Sequence, residues 1–295
     1  MQLPISLCPS PKRVLATLAL LALSSLAAPA VVLVNSDFDT GYTGSNTSLN
    51  GQSGSGDVNL AGSYVSNTTG VNVNVNDSST TNNNLTYNVD GGGTIDGGLH
   101  SVRMSTSGVS GGVGYTRSLS SNFGGQTIYL RIVVSSTAPF ASTYLQFRLG
   151  LTDGTNSVVG LADGFSPLTV PVASSSLNGT TIRAGTMATG TPNLIVAAFN
   201  WTGAGYTSMN LWLNPTATDL ATPDATSAVT SFNPTFNSIG LNILNNPPND
   251  RSYAFDSFRV ATTWAEVVPQ VPEPGAAALL IAGCAFGHSR RRRCR

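Results

Sequence analysis

Ile128-Tyr129-Leu130-Arg131-Ile132-Val133-Val134 puts Ile128, Leu130, Ile132 and Val134 on one side of an extended chain and Tyr129 and Arg131 on the other. An apolar residue at every second position marks a half-buried strand, because successive side chains of extended backbone point to opposite faces. The same period returns in Leu145, Phe147, Leu149 and Leu151, which alternate with Gln146 and Arg148. Met209, Leu211 and Leu213 alternate with Asn210 and Asn214, and Val71, Val73 and Val75 with Asn72, Asn74 and Asn76. Asp90-Gly91-Gly92-Gly93, Asp153-Gly154 and Asn178-Gly179 supply turns between such runs. About twelve to fifteen runs of this kind predict an all-β chain folded as one two-sheet antiparallel β-sandwich.

Composition points the same way. The whole 295-residue chain has one lysine, Lys12, and two glutamates, Glu266 and Glu273, so the best polar helix formers are scarce. Only 9% of residues are charged, against roughly 25% in ordinary soluble domains. The formal charge of zero hides an uneven distribution. Residues 31–270 hold seven arginines and thirteen acids, while Lys12 and Arg13 lie before them and five arginines after them. So few cations in the body cannot neutralise a phosphate backbone, which argues against a nucleic-acid partner.

The two ends read as targeting signals. Lys12-Arg13, the largely apolar run Val14 to Leu26 and the small residues Ala28 and Ala30 have the layout of a secretory signal peptide over residues 1–30. The C-terminal end reads Val271-Pro272-Glu273-Pro274, then apolar Gly275 to Gly287, then Arg290, Arg291, Arg292, Arg293, Cys294 and Arg295. A short apolar helix entering a bilayer would stop at this arginine cluster, which stays cytoplasmic. Thirteen residues reach about 20 Å against a hydrocarbon core of about 30 Å, too short for a permanent anchor. All three cysteines, Cys8, Cys284 and Cys294, lie in these end segments. A body without cysteine has no disulfide, thiol nucleophile or cysteine-ligated metal.

The tail resembles the PEP-CTERM sorting signal, also labelled an ice-binding protein C-terminal domain. That resemblance implies export by the Sec translocon, membrane attachment through the C-terminal helix before processing, and recognition by an exosortase, with the product on the cell surface or in an exopolysaccharide matrix. It divides the chain into a signal peptide (1–30), a sandwich domain (31–268) and a sorting segment (269–295). A second resemblance lies in Val34 to Asp39, Leu49 to Gln52, Ile239 to Leu241, Phe255 to Val260 and Leu211 to Pro215. These are similar to strands of concanavalin A-like (laminin G-like) jelly rolls, which implies a jelly-roll body flanked by the signal helix and the short apolar helix, and carbohydrate as ligand.

Candidate chemistry inside the body is sparse. Glycoside hydrolysis needs two carboxyl groups across the scissile bond. Apart from Asp37 and Asp39 no run carries acids at i and i+2 or i+4, and the Glu-x-Asp-x-x-Glu pattern of jelly-roll glucanases is absent. His100 is the only histidine of the body, and an isolated strand or loop histidine makes no triad. The expectation is therefore a protein without catalytic residues, the alternatives being a secreted jelly-roll hydrolase or an ice-binding or adhesive protein. Strict alternation puts Asp256 on the inward face with Ala254, Phe258 and Val260. If the first and last strands pair, Asp37 and Asp39 lie near it and the three acids would form a structural Ca²⁺ cage. Trp201 and Trp212 are the candidates for stacking on sugar rings, with Trp212 on the polar face of its strand.

Overall fold

Alternating strands and glycine turns build the computed structural model, which describes residues 30–39, 41–42, 47–66, 73–77, 85–105, 111–136, 144–154, 157–163, 172–246 and 252–270. In chain order the first strands are β1 (Val32–Ser36), β2 (Thr47–Ser48), β3 (Val65–Ser66), β4 (Val73–Asp77), β5 (Tyr87–Asn88) and β6 (Thr94–Ile95). Next come β7 (His100–Ser105), β8 (Gly111–Phe123), β9 (Ile128–Ser136), β10 (Tyr144–Thr152), β11 (Ser157–Asp163) and β12 (Val172–Leu177). The last are β13 (Thr180–Thr186), β14 (Asn193–Trp201), β15 (Tyr206–Leu213), β16 (Ala225–Phe232), β17 (Phe236–Asn246) and β18 (Ser252–Ala261). One short helix, α1 (Trp264–Val267), follows the last strand.

The strands pair antiparallel in two large sheets. The first runs β16-β15-β14-β9-β18-β7-β4-β2, with β1 also on β18, and the second runs β13-β12-β11-β10-β17-β8-β3. Neighbours far apart in sequence, such as β9 with β18 and β10 with β17, make this a jelly-roll β-sandwich rather than a meander of hairpins. Hairpins occur where the turn chemistry allows them. Asn178 and Gly179 both have positive φ, 45° and 83°, and join β12 to β13 as a two-residue loop. That geometry follows the right-handed twist of the strands it links.

Ile128, Leu130, Ile132 and Val134 of β9 face Leu149 and Leu151 of β10 and Ile239 and Leu241 of β17 across the sandwich. This is the face expected from the alternation. The opposite face of the first sheet is also buried. Val133, Val196, Trp212, Ala254 and Ala261 pack under Leu85, Val89, Ile95, Trp264 and Val267. A third layer therefore covers that face, formed by the β5–β6 hairpin, the turn around Asp219–Ala221 and the strap 264–270. The strap continues beyond the expected body of 31–268: Gly93 N–H donates to Pro269 O at 3.1 Å, and Gly92 bridges to Gln270. Among the described residues no helix is long and apolar enough to cross a membrane. The expected signal peptide, apart from Ala30, and the tail from Val271 onward lie outside the described residues.

Candidate functional site

β18 changes partners along its length. Its first half pairs with β7, ending at Phe255 opposite Val102, and its second half pairs with β1, beginning at Phe258 opposite Ser36. Between them Ser257 has φ 53°, and the register with β9 shifts between Asp256 and Arg259. This is a β-bulge, and one inserted residue reverses the parity of everything after it. The expected inward grouping of Asp256 with Phe258 and Val260 is thereby corrected. Phe255, Phe258 and Val260 face the main core, whereas Ala254, Asp256, Arg259 and Ala261 face the third layer. Left-handed backbone at a serine costs roughly 1 kcal/mol or more. Here it is held by the Ser257 hydroxyl, which donates to Asp96 O at 3.1 Å.

The bulge opens a cleft of about 280 Å³ between the first sheet and the third layer. Its floor is a polar row across three strands, with Arg131 of β9 opposite Arg259 of β18, and Arg259 opposite Asn35 of β1. Asp37 and Ser257 complete the floor, and Thr94, Ile95, Asp96 and Pro269 form the rim. Arg131 Nε donates to Ser257 O at 3.3 Å and its Nη1 to Val267 O at 3.1 Å. Arg259 Nε donates to Asn35 Oδ1 at 2.9 Å and its Nη1 to Glu266 O at 3.2 Å. Each guanidinium thus ties the strap to the sheet through one carbonyl. Arg131 is only 6% exposed. Burial first, and the neighbouring Arg259 second, push its pKa down to about 9.

The three candidate metal ligands come near one another but are otherwise engaged. Asp39 Oδ1 accepts the backbone N–H groups of Leu99 at 2.6 Å and His100 at 2.7 Å, and Asp37 Oδ1 accepts that of Asp39 at 3.1 Å. Asp256 is fully buried; its Oδ1 accepts from Ser257 N–H while its Oδ2 has no partner. Burial raises the Asp256 pKa well above the usual carboxylate range, and Asp39 and Asp37 add to the rise. Burial also raises that of Asp39. A carboxylate already capping backbone donors is a poor member of a cation cage. Among the described residues no group of three acidic, histidine or cysteine side chains is placed to hold a metal ion. The calcium expectation for Asp37, Asp39 and Asp256 does not fit this donor set. His100, expected as an isolated histidine, lies half-buried with Nδ1 3.8 Å from Asp39 Oδ1.

Trp212, a candidate for stacking on sugar rings, is buried in the structure. Its strand face is the expected one, but the third layer covers it, leaving 1% exposure. Its indole N–H donates to Asp219 O at 2.8 Å and its ring packs 4.9 Å from that of Trp264. Trp201 is half-buried, set edge-on to Tyr206 at 5.2 Å and packed against the main core. Neither tryptophan lines the cleft.

Sequence reasoning missed the cleft arginines and a second polar cluster. Arg117 forms a buried ion pair with Asp57, donates to Tyr42 Oη at 3.0 Å, and lies over the Tyr64 ring at 5.4 Å. One signal was available: Arg131 is the lone charge in a strongly apolar strand, and a charge kept there must find partners.

No family model and no curated protein matches the chain. Solved structures do. "Cellulose induced protein, Cip1" aligns over 65% of this chain and 91% of its own at 12% identity, with a TM-score of 0.42. An endo-beta-1,4-glucuronan lyase from the fungus Trichoderma reesei aligns over 67% and 98% at 12% identity, with a TM-score of 0.40. A legume lectin-like domain from Entamoeba histolytica aligns over 54% and 82% at 8% identity, with a TM-score of 0.38. The fold assignment rests on the strand order given above, and these distant likenesses carry no chemistry to this chain.

Proposed function

We propose that this is an exported, non-enzymatic cell-surface or matrix protein that binds extracellular glycan in the cleft over the first sheet. The observation that carries glycan binding is the cleft itself. Donors from Arg131 and Arg259 and acceptors from Asp37 and Asp96 converge there with Asn35 and Ser257 on a strand floor. A few placed polar groups on a rigid concave surface are what sugar hydroxyls require. The amide- and hydroxyl-rich surface suits solvation among polysaccharides, and the two ends of the chain support a route through Sec and an exosortase.

Titration calorimetry of the protein against a panel of exopolysaccharide fragments tests the proposal. Heat of binding is expected, and its absence across the panel would overturn it. Asp37 and Asp96 both line the cleft, so a reducing-sugar assay on the same panel separates binding from turnover. No release of reducing ends is expected, and release would make the protein a glycan-cleaving enzyme. Intact mass from the native host tests the route, with loss of both end segments expected and recovery of the full-length polypeptide against it.

A further inference from the structure

Two arginines directly opposite each other on neighbouring strands repel, and nothing among the described residues offsets the pair fully. Arg259 has Glu266 Oε2 at 4.0 Å, a half-exposed contact. Arg131 has no ion pair among the described residues; both of its hydrogen bonds go to neutral backbone carbonyls, and the opposite charges of Asp256 and Glu266 act on it only from beyond contact distance. Each guanidinium uses Nε and Nη1 internally; among the described residues neither Nη2 has a protein acceptor, and both side chains line the cleft. A buried cation without a direct counter-ion is costly, and a fork of guanidinium N–H groups matches a carboxylate in shape and charge.

We infer that the cleft binds an acidic saccharide, with the carboxylate of a uronic acid residue seated between Arg131 and Arg259. This rests on the glycan-binding function proposed above and names its substrate class. The remaining wall sets limits on the ligand. Asp37 and Asp96 would repel a multiply charged phosphate group, whereas one carboxylate with its ring hydroxyls leaves them hydroxyls to accept from. The cleft lies at the small end of the roughly 300–1,000 Å³ range of ligand sites, so it takes a single sugar ring rather than a length of chain.

The test is titration of the full chain, in mild detergent, with a β-linked glucuronic acid oligosaccharide, the glucose oligosaccharide of the same length and a sulfated one. The uronate oligomer is expected to bind at least about tenfold more tightly than the neutral one, with affinity falling as salt rises. Arg259→Gln should weaken it by about tenfold or more. Asp96→Asn has the opposite sign. Asp96 is exposed, and its Oδ1 accepts from Gly98 N–H at 3.0 Å, an acceptor that asparagine keeps. Removing its charge should tighten the uronate complex a few-fold, and that result stands even if Arg259→Gln fails to fold. Equal binding of the uronate and neutral oligomers, preference for the sulfated one, or weaker uronate binding by Asp96→Asn overturns the acidic-sugar assignment while glycan binding stands. Failure of all three saccharides to bind removes both.

Discussion

Asp256 carries the sharpest electrostatic conflict at the level of single residues. Its carboxyl is fully buried beside two other acids and has one unpartnered oxygen. Its folded pKa lies above the unfolded value, so the native state binds the extra proton. Stability from this group is therefore greatest below the unfolded pKa and declines as pH climbs toward the folded one. Asp39 acts in the same direction. Urea midpoints are expected to fall as pH rises from about 4 to 7. Asp256→Asn keeps an acceptor for Ser257 N–H, and should be more stable than the parent at pH 7 with a flatter profile. An unchanged profile in the variant would refute the assignment. The Arg117–Asp57 pair behaves differently because both charges are paired and buried. Arg117→Met alone should cost about 3–5 kcal/mol, since it strands the Asp57 charge. Adding Asp57→Leu should recover most of that in guanidinium melts, and a double variant as unstable as the single would contradict it.

Turns and the bulge decide which face each element shows. Gly179 has φ 83° with open space where a Cβ would stand, so Gly179→Ala isolates backbone strain, about 1 kcal/mol. Gly98 has φ 55° and a Cβ there would collide with the Asp39 carboxylate that caps Leu99 and His100. Gly98→Ala should thus cost clearly more than Gly179→Ala in the same denaturation assay, and equal costs would mean that the Asp39 cap yields freely. β18 illustrates how far period-two reading extends along one strand. Phe258 and Val260 do face the main core as alternation expects, but the single left-handed serine breaks the period, so Ala254 and Asp256 before it face the third layer and Phe255 takes the inward place.

The whole molecule is a two-sheet sandwich with a third layer pinned to it by the strap 264–270. Trp264 is the main apolar pin, 6% exposed, against Trp212 and Tyr129. Its indole N–H donates to Ala217 O at 3.2 Å. Trp264→Ala should cost about 3–5 kcal/mol. Because it unseats the layer over Trp212, quenching by acrylamide should increase for the remaining tryptophans, and unchanged quenching would count against it. A chain cut after Gln270 is expected to melt with the parent, whereas one cut after Thr263 should lose the cleft and melt lower by circular dichroism. The all-β class, the sandwich and the inward stripe of β9 were legible in the sequence, because burial on one face of a pleated strand imposes period two on local residue choice. The hairpin turn at Asn178-Gly179 was legible for the same kind of local reason. The covered outer face that buries Trp212, the pairing of Arg131 with Arg259 across 128 positions of chain, and the bulge that turned Asp256 away from Phe258 belong to the tertiary structure alone. Each depends on which distant segments meet at β18, and no local period in the sequence encodes that encounter.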